Sequence, residues 1–150
     1  GTEEIRADRP GVRFLSLFQW PLFPHRRMEP TPSNAVLSPL PAGAGGEEIR
    51  SVVENVWLPE IDKFQPDLMI LSAGFDAHCE ERIAQLKAGE MDYACVTRLL
   101  VEASFAYCEG RLVSVLEGGY ELRSLARSVF THLQGLIRNP LSAETCKAPN

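Results

Sequence analysis

A chain of 150 residues, 45% of them hydrophobic, is long enough to bury one sizeable core. Fifteen Lys and Arg against twenty Asp and Glu leave a formal net charge of −5, and the only basic cluster is His25-Arg26-Arg27, so direct nucleic-acid binding is not expected. No apolar run approaches the roughly 20 residues of a membrane span, and Gly1 to Pro10 lacks the apolar core of a signal peptide; a soluble protein with no membrane partner is expected, cytoplasmic, or nuclear in a eukaryote.

The turn signal Arg9-Pro10-Gly11 precedes Val12 to Phe18, whose β-branched and aromatic residues predict a strand. Gln19 to Gly46 holds Pro21, Pro24, Pro30, Pro32, Pro39 and Pro41, which predicts a long loop and excludes a long helix or a central strand. From Glu47 the period becomes helical, with Ile49, Val52, Val53, Val56, Trp57, Ile61 and Phe64 on one face and a kink at Pro59. Leu68 to Leu71 is a continuous apolar run, as in a strand covered on both faces, and it opens into the polar loop Gly74 to Arg82. A helix over Asp92 to Cys108 carries Tyr93, Val96, Leu100, Ala103 and Tyr107 on one stripe and stops at Gly110. Arg111 to Glu117 reads as another short strand. The last helix, Glu121 to Ile137, is expected to turn Leu122, Leu125, Ala126, Val129, Leu133, Leu136 and Ile137 inward, with Asn139-Pro140 ending it. One domain over residues 1–140 and a frayed tail over 141–150 follow.

Strands joined through helices run parallel, so the fold class is α/β, a parallel sheet with helices on both faces. Three strands make a small sheet with at least one bare edge, which further strands or a partner must cover. The four cysteines form no CxxC pair, and buried thiols are expected.

The strand ends bring Ser16 to Gln19, Gly74 to Glu81 and Glu117 to Tyr120 to one rim, where open α/β sheets place their ligands. Asp76, His78, Glu80 and Glu81 are candidate hard-metal or zinc ligands, but their spacing matches no self-sufficient metal motif and on spacing alone reads first as a solvated acidic loop. Gly118-Gly119-Tyr120 permits close backbone approach and presents a phenol at the rim. His132 is expected at the surface or boundary of the last helix. No strand is followed by GxGxxG or GxxxxGK[ST], which leaves a nucleotide-binding module without support.

SAGFDAH at Ser72 to His78, LEGGY at Leu116 to Tyr120 and ARSV at Ala126 to Val129 resemble the C-terminal half of the zinc-dependent histone deacetylase superfamily, the bacterial and class II type with the acetylpolyamine amidohydrolases nearest. Ser16 to Pro21 resembles the family's Ser-Leu-His-Gln loop, and Leu40 to Gly43 with Glu47-Glu48 also fits. The resemblance implies part of an arginase-like three-layer fold whose missing N-terminal half, or an oligomer partner, covers the bare edge. It also implies zinc-dependent hydrolysis of acetyl-lysine or an acetylated polyamine by a complete enzyme, of which this chain, expected to be inactive alone, is an incomplete part. By matching position, Tyr120 falls on the catalytic tyrosine, Phe23 on a wall of the substrate channel, and Gly118 and Gly119 on the glycines carrying the tyrosine loop. Glu81 falls on an aspartate zinc ligand, with Asp76 and His78 behind it, and Ser16 and Leu17 on a potassium site. Phe18 stands where the family has histidine, and the family's catalytic histidine pair and Asp-x-His ligands belong before Gly1. A non-catalytic deacetylase-like binding domain with a degenerate metal site is the alternative.

Overall fold

The computed structural model describes residues 8–22 and 31–137. Among the described residues four strands, β1 (Phe14–Gln19), β2 (Ala35–Leu40), β3 (Met69–Ala73) and β4 (Leu112–Leu116), form two two-stranded sheets, β1 with β2 and β3 with β4, both parallel. The registers place Phe14 opposite Ala35 and Met69 opposite Leu112.

β2 corrects the expectation of an unbroken loop from Gln19 to Gly46. Pro39 sits inside this strand, opposite Phe18. Among the described residues β2 pairs only with β1, and an edge strand tolerates the missing proline N–H, whereas a central strand would not. Ser38 and Leu40, on either side of Pro39, are buried while Pro39 is exposed.

Helix α1 (Gly46–Val52) runs through a π-helical turn, Val53–Trp57, into α2 (Leu58–Phe64). Pro59 explains the wide turn: it has no N–H to give the carbonyl of Asn55 and its ring would crowd it, so the backbone opens by one residue. Val53, Ile61, Leu100 and Ala103 form a buried cluster against which Met69, Leu71 and Leu112 pack. Phe64, expected on that face, is exposed.

Helix α3 (Glu90–Cys108) starts where the Asp92 carboxylate accepts the Gly89 N–H at 2.8 Å. It ends in two left-handed residues, Glu109 and Gly110. Its long partner is α4 (Leu122–Ile137). Cys95 and Cys108 are buried in this region, Cys79 is exposed, and Cys146 lies outside the described residues.

Two faces depart from expectation. β3 alternates rather than being covered on both sides: Met69 and Leu71 face the helices, while Ile70 is 67% exposed and its neighbours Val113 and Val115 on β4 about half exposed. α4 is rotated from the expected face. Its buried positions are Ser124, Ser128 and His132; of the residues expected inward, Leu125, Val129 and Leu136 are half-buried, whereas Leu122, Ala126, Leu133 and Ile137 face outward, with Ile137 82% exposed. Phe130 faces outward as well. Hydrophobic period marks a stripe on a helix and not the partner that the stripe meets.

A strap formed by residues 77–88 ties the two sheets at the carboxyl ends of their strands. Ala88 exchanges backbone hydrogen bonds with Ala77 and Cys79, Lys87 N–H donates to Ala44 O at 2.8 Å, and Gly43 N–H donates to Gln85 O at 3.0 Å. Gln85 N–H also donates to the buried Gln19 side chain at 2.6 Å.

Candidate functional site

Below the strap lies a cavity of about 500 Å³, walled by Ser16 and Leu17 of β1, Leu71 of β3, and by Asp76, Tyr93 and Gly118. At its rim the loop after β3 meets the loop after β4. Phe75 N–H donates to Gly118 O at 2.9 Å, and Tyr93 Oη donates to Phe75 O at 3.0 Å. A Cβ added to Gly118 would sit 2.7 Å from Asp76 Oδ2, so the Asp76 carboxylate occupies the space that any side chain there would need. Burial pushes the Asp76 carboxyl above the usual range, the Glu81 charge adds to that, and a backbone hydrogen bond opposes both. Burial likewise raises the Tyr93 phenol, with Asp76 and Glu81 adding to it.

Glu81 is buried, not solvated as an acidic loop would have it. Its Oε1 accepts two backbone hydrogen bonds, from Tyr120 N–H at 2.6 Å and from Glu121 N–H at 2.8 Å. Tyr120 itself is 62% exposed, a phenol carried on an anchored backbone. Gly119 adopts φ +128, and a Cβ there would meet Leu125 Cδ1 at 2.7 Å, so only glycine suits that step of the loop. Ser16 and Leu17 lie half-buried in the middle of β1. Phe23 lies outside the described residues, as do Gly1 to Glu4 and His25-Arg26.

His78 is buried beneath this loop and stacks on Tyr93 with ring centroids 6.4 Å apart. Its Nδ1 accepts the Glu80 backbone N–H at 3.1 Å, which places the proton of the neutral ring on Nε2. Nε2 lies 3.4 Å from Glu90 Oε1. His78, Glu80 and Glu90 bring ligand atoms within 4.8 Å of one another, the closest approach to a metal-binding group among the described residues. Two observations argue against a metal there. Arg127 already pairs with both carboxylates, at 2.5 Å each, and a metal on Nε2 would force a proton onto Nδ1, which faces an N–H donor. The Arg127 hydrogen bond holds the Glu90 carboxyl down to about 2. Sequence reasoning passed over Arg127, although it stands within the quoted ARSV.

The zinc site implied by the resemblance fares no better. Structural and catalytic zinc takes three or four protein ligands; of the expected set the chain supplies only Glu81, and the oxygen facing Tyr120 has its acceptor directions filled. The described residues therefore do not make a zinc site by themselves.

His132, expected at the surface, is buried instead. Its ring reaches Thr97 Oγ1 at 2.7 Å and Ser114 Oγ at 2.9 Å, joining α3, β4 and α4. The signal for this was available: His132 falls on the same helical face as Ser124 and Ser128, eight and four residues before it, but a polar stripe reads first as a solvated one.

The histone deacetylase domain profile matches residues 1–136. Histone deacetylase 14, chloroplastic, of Arabidopsis thaliana is 32% identical over 146 residues, covering 91% of this chain and 34% of the relative. A probable deacetylase of Archaeoglobus fulgidus is 34% identical over 128 residues, covering 81% of this chain and 36% of the relative. The crystal structure of the HDA15 HD domain superposes with a TM-score of 0.83 at 28% identity, over 91% of this chain and 40% of that one. The chain thus spans about a third of the length of these curated relatives.

Proposed function

We infer function from the premise that this chain belongs to the histone deacetylase domain family, and we propose that it contributes the tyrosine loop of an amidohydrolase that removes acetyl groups from acetyl-lysine or acetylated polyamines. The fold is that of the family's α/β domain, and several relatives are named deacetylases. Tyr120 carries the reading: an exposed phenol whose own backbone N–H is anchored, next to glycines that admit close approach. In amide hydrolysis a hydroxyl so placed donates to the carbonyl oxygen as it gains charge in the transition state. Zinc belongs to this reading as the complete enzyme's metal, with ligands this chain does not supply, and Ser16 and Leu17 would border a potassium ion on the cavity wall. The missing portion of the enzyme, or an oligomer partner, would cover the open sheet edges; the sites of action would be cytoplasmic or nuclear.

The chain alone, incubated with zinc and an acetyl-lysine peptide or an acetylated spermidine, is expected to release no acetate, and turnover would overturn the account of an incomplete site. A second reading, a binding domain without hydrolysis, is favoured by one observation, the commitment of Glu81 Oε1 to backbone amides. Calorimetric binding of the acetylated peptide by a longer protein that includes this chain, with no acetate released, would decide for it.

A further inference from the structure

We propose that Glu81 is a positioning residue, which fixes the backbone of Tyr120 by capping the amino terminus of α4 from across the chain. The proposal rests on the assignment of Tyr120 to the reacting site; the anchoring itself does not. Four observations carry it. Glu81 and Tyr120 are 39 residues apart in sequence, yet one carboxylate oxygen receives the N–H of Tyr120 and that of Glu121 together. Glu121 opens α4: its carbonyl accepts the Leu125 N–H at 2.9 Å and the Ser124 hydroxyl at 3.1 Å. The Glu121 amide is therefore among the donors that a helix amino terminus leaves without intrahelical partners, and the Tyr120 amide lies one residue before it. Glu81 is only 9% exposed, and the ion pairs among the described residues join Arg13 to Glu60, Arg98 to Glu102, Arg111 to Glu109 and Arg127 to Glu80 and Glu90, with none at Glu81. A buried carboxylate with no cation must be held by hydrogen bonds, and charged acceptors make the strong ones. The positive end of the 16-residue α4 adds to this.

The rest of the loop is fixed on its other side, where Phe75 N–H holds Gly118 O and Glu117 N–H holds Ala73 O at 3.0 Å. Between those bonds and the Glu81 carboxylate the backbone from Glu117 to Glu121 has little freedom, and the Tyr120 phenol is left to move only about its own side-chain bonds. The strap that carries Glu81 is itself tied to the segment between β2 and α1 through Lys87 and Ala44. Glu81 thus passes the placement of the strap on to the tyrosine, the oxygen being used on the loop and not on a metal.

Amide hydrogen exchange on the 150-residue chain, read by nuclear magnetic resonance, tests this without substrate. Tyr120 and Glu121 amides should be protected in the parent. Glu81→Gln, which keeps an acceptor oxygen in the same place, should retain most of that protection. Glu81→Met, which fills the same volume with no acceptor, should speed exchange at these two amides by roughly ten- to a hundred-fold, the effect of losing hydrogen bonds to a charged group, with the Leu71 amide of β3 unchanged. Zinc ion alone, added to the parent, should leave both amides protected. Equal exchange in the parent and Glu81→Met, or loss of protection on adding zinc, would overturn the proposal. Should Glu81→Met not fold, scalar coupling across the hydrogen bonds from the Glu81 carboxyl carbon to the Tyr120 and Glu121 amide nitrogens decides in the parent: both couplings support it, and neither overturns it. Failure of Tyr120 to take part in hydrolysis would leave these results untouched, so the two readings fail separately.

Discussion

His132 and Thr97 meet at 2.7 Å between α4 and α3, and the direction of that bond is fixed by a third group. The Thr97 hydroxyl donates to Tyr93 O at 2.6 Å, so toward His132 it accepts. The imidazole proton is then on Nδ1, and Nε2 accepts the Ser114 hydroxyl. A neutral ring satisfies both of its partners.

Burial holds the His132 imidazole below its ordinary 6.5. The unfolded chain takes up that proton first as pH falls, so the stability from the neutral ring is full above 6.5 and is lost toward lower pH. Urea midpoints taken at about pH 7.5 and about pH 5.5 should fall more in the parent than in His132→Gln. Equal falls would mean the buried imidazole does not govern acid sensitivity.

Asp76 and Gly118 compete for the same volume. Gly118→Ala should destabilise by about 1–3 kcal/mol through crowding. Adding Asp76→Ala should relieve part of it, giving a coupling of at least about 0.5 kcal/mol in a double-mutant cycle. Additive losses would place the carboxylate elsewhere.

Arg127 bridges Glu80 and Glu90 on the surface beside His78. In Arg127→Ala, the Glu90 carboxyl should rise from about 2 toward 4.5, followed by its side-chain carbon signal during acid titration. An unmoved titration would assign the depression to another partner.

The outward apolar residues make no large contribution within this chain. Replacing Ile70 and Val113 by threonine, or Phe130 by glutamate, should change the unfolding free energy by no more than about 0.5 kcal/mol. Self-association in sedimentation should fall, because exposed apolar patches of this kind drive it. A large loss of stability would show that these side chains are packed.

The strands β1, β3 and β4 and the helices α3 and α4 were legible from hydrophobic period and from the stop at Gly110. β2 was not, since Pro39 argues against a strand unless its edge position is known. The rotation of α4 was hidden for a related reason: Leu122 and Ile137 mark an apolar face, and only the tertiary structure tells whether something lies against it. At the site, the Gly118-Gly119-Tyr120 loop was found from its residues. The Glu81 contact spans 39 positions and follows no local pattern, so the sequence offered a charge and no partner.

The central claim is that Tyr120 donates to the developing oxyanion, and the direct measurement is steady-state hydrolysis of an acetylated substrate by a complete deacetylase domain that includes this chain. Tyr120→Phe should lower kcat by about 10²–10³ while leaving KM nearly unchanged, as expected for a donor that acts in the transition state. An unchanged kcat would remove Tyr120 from the chemistry and contradict the account.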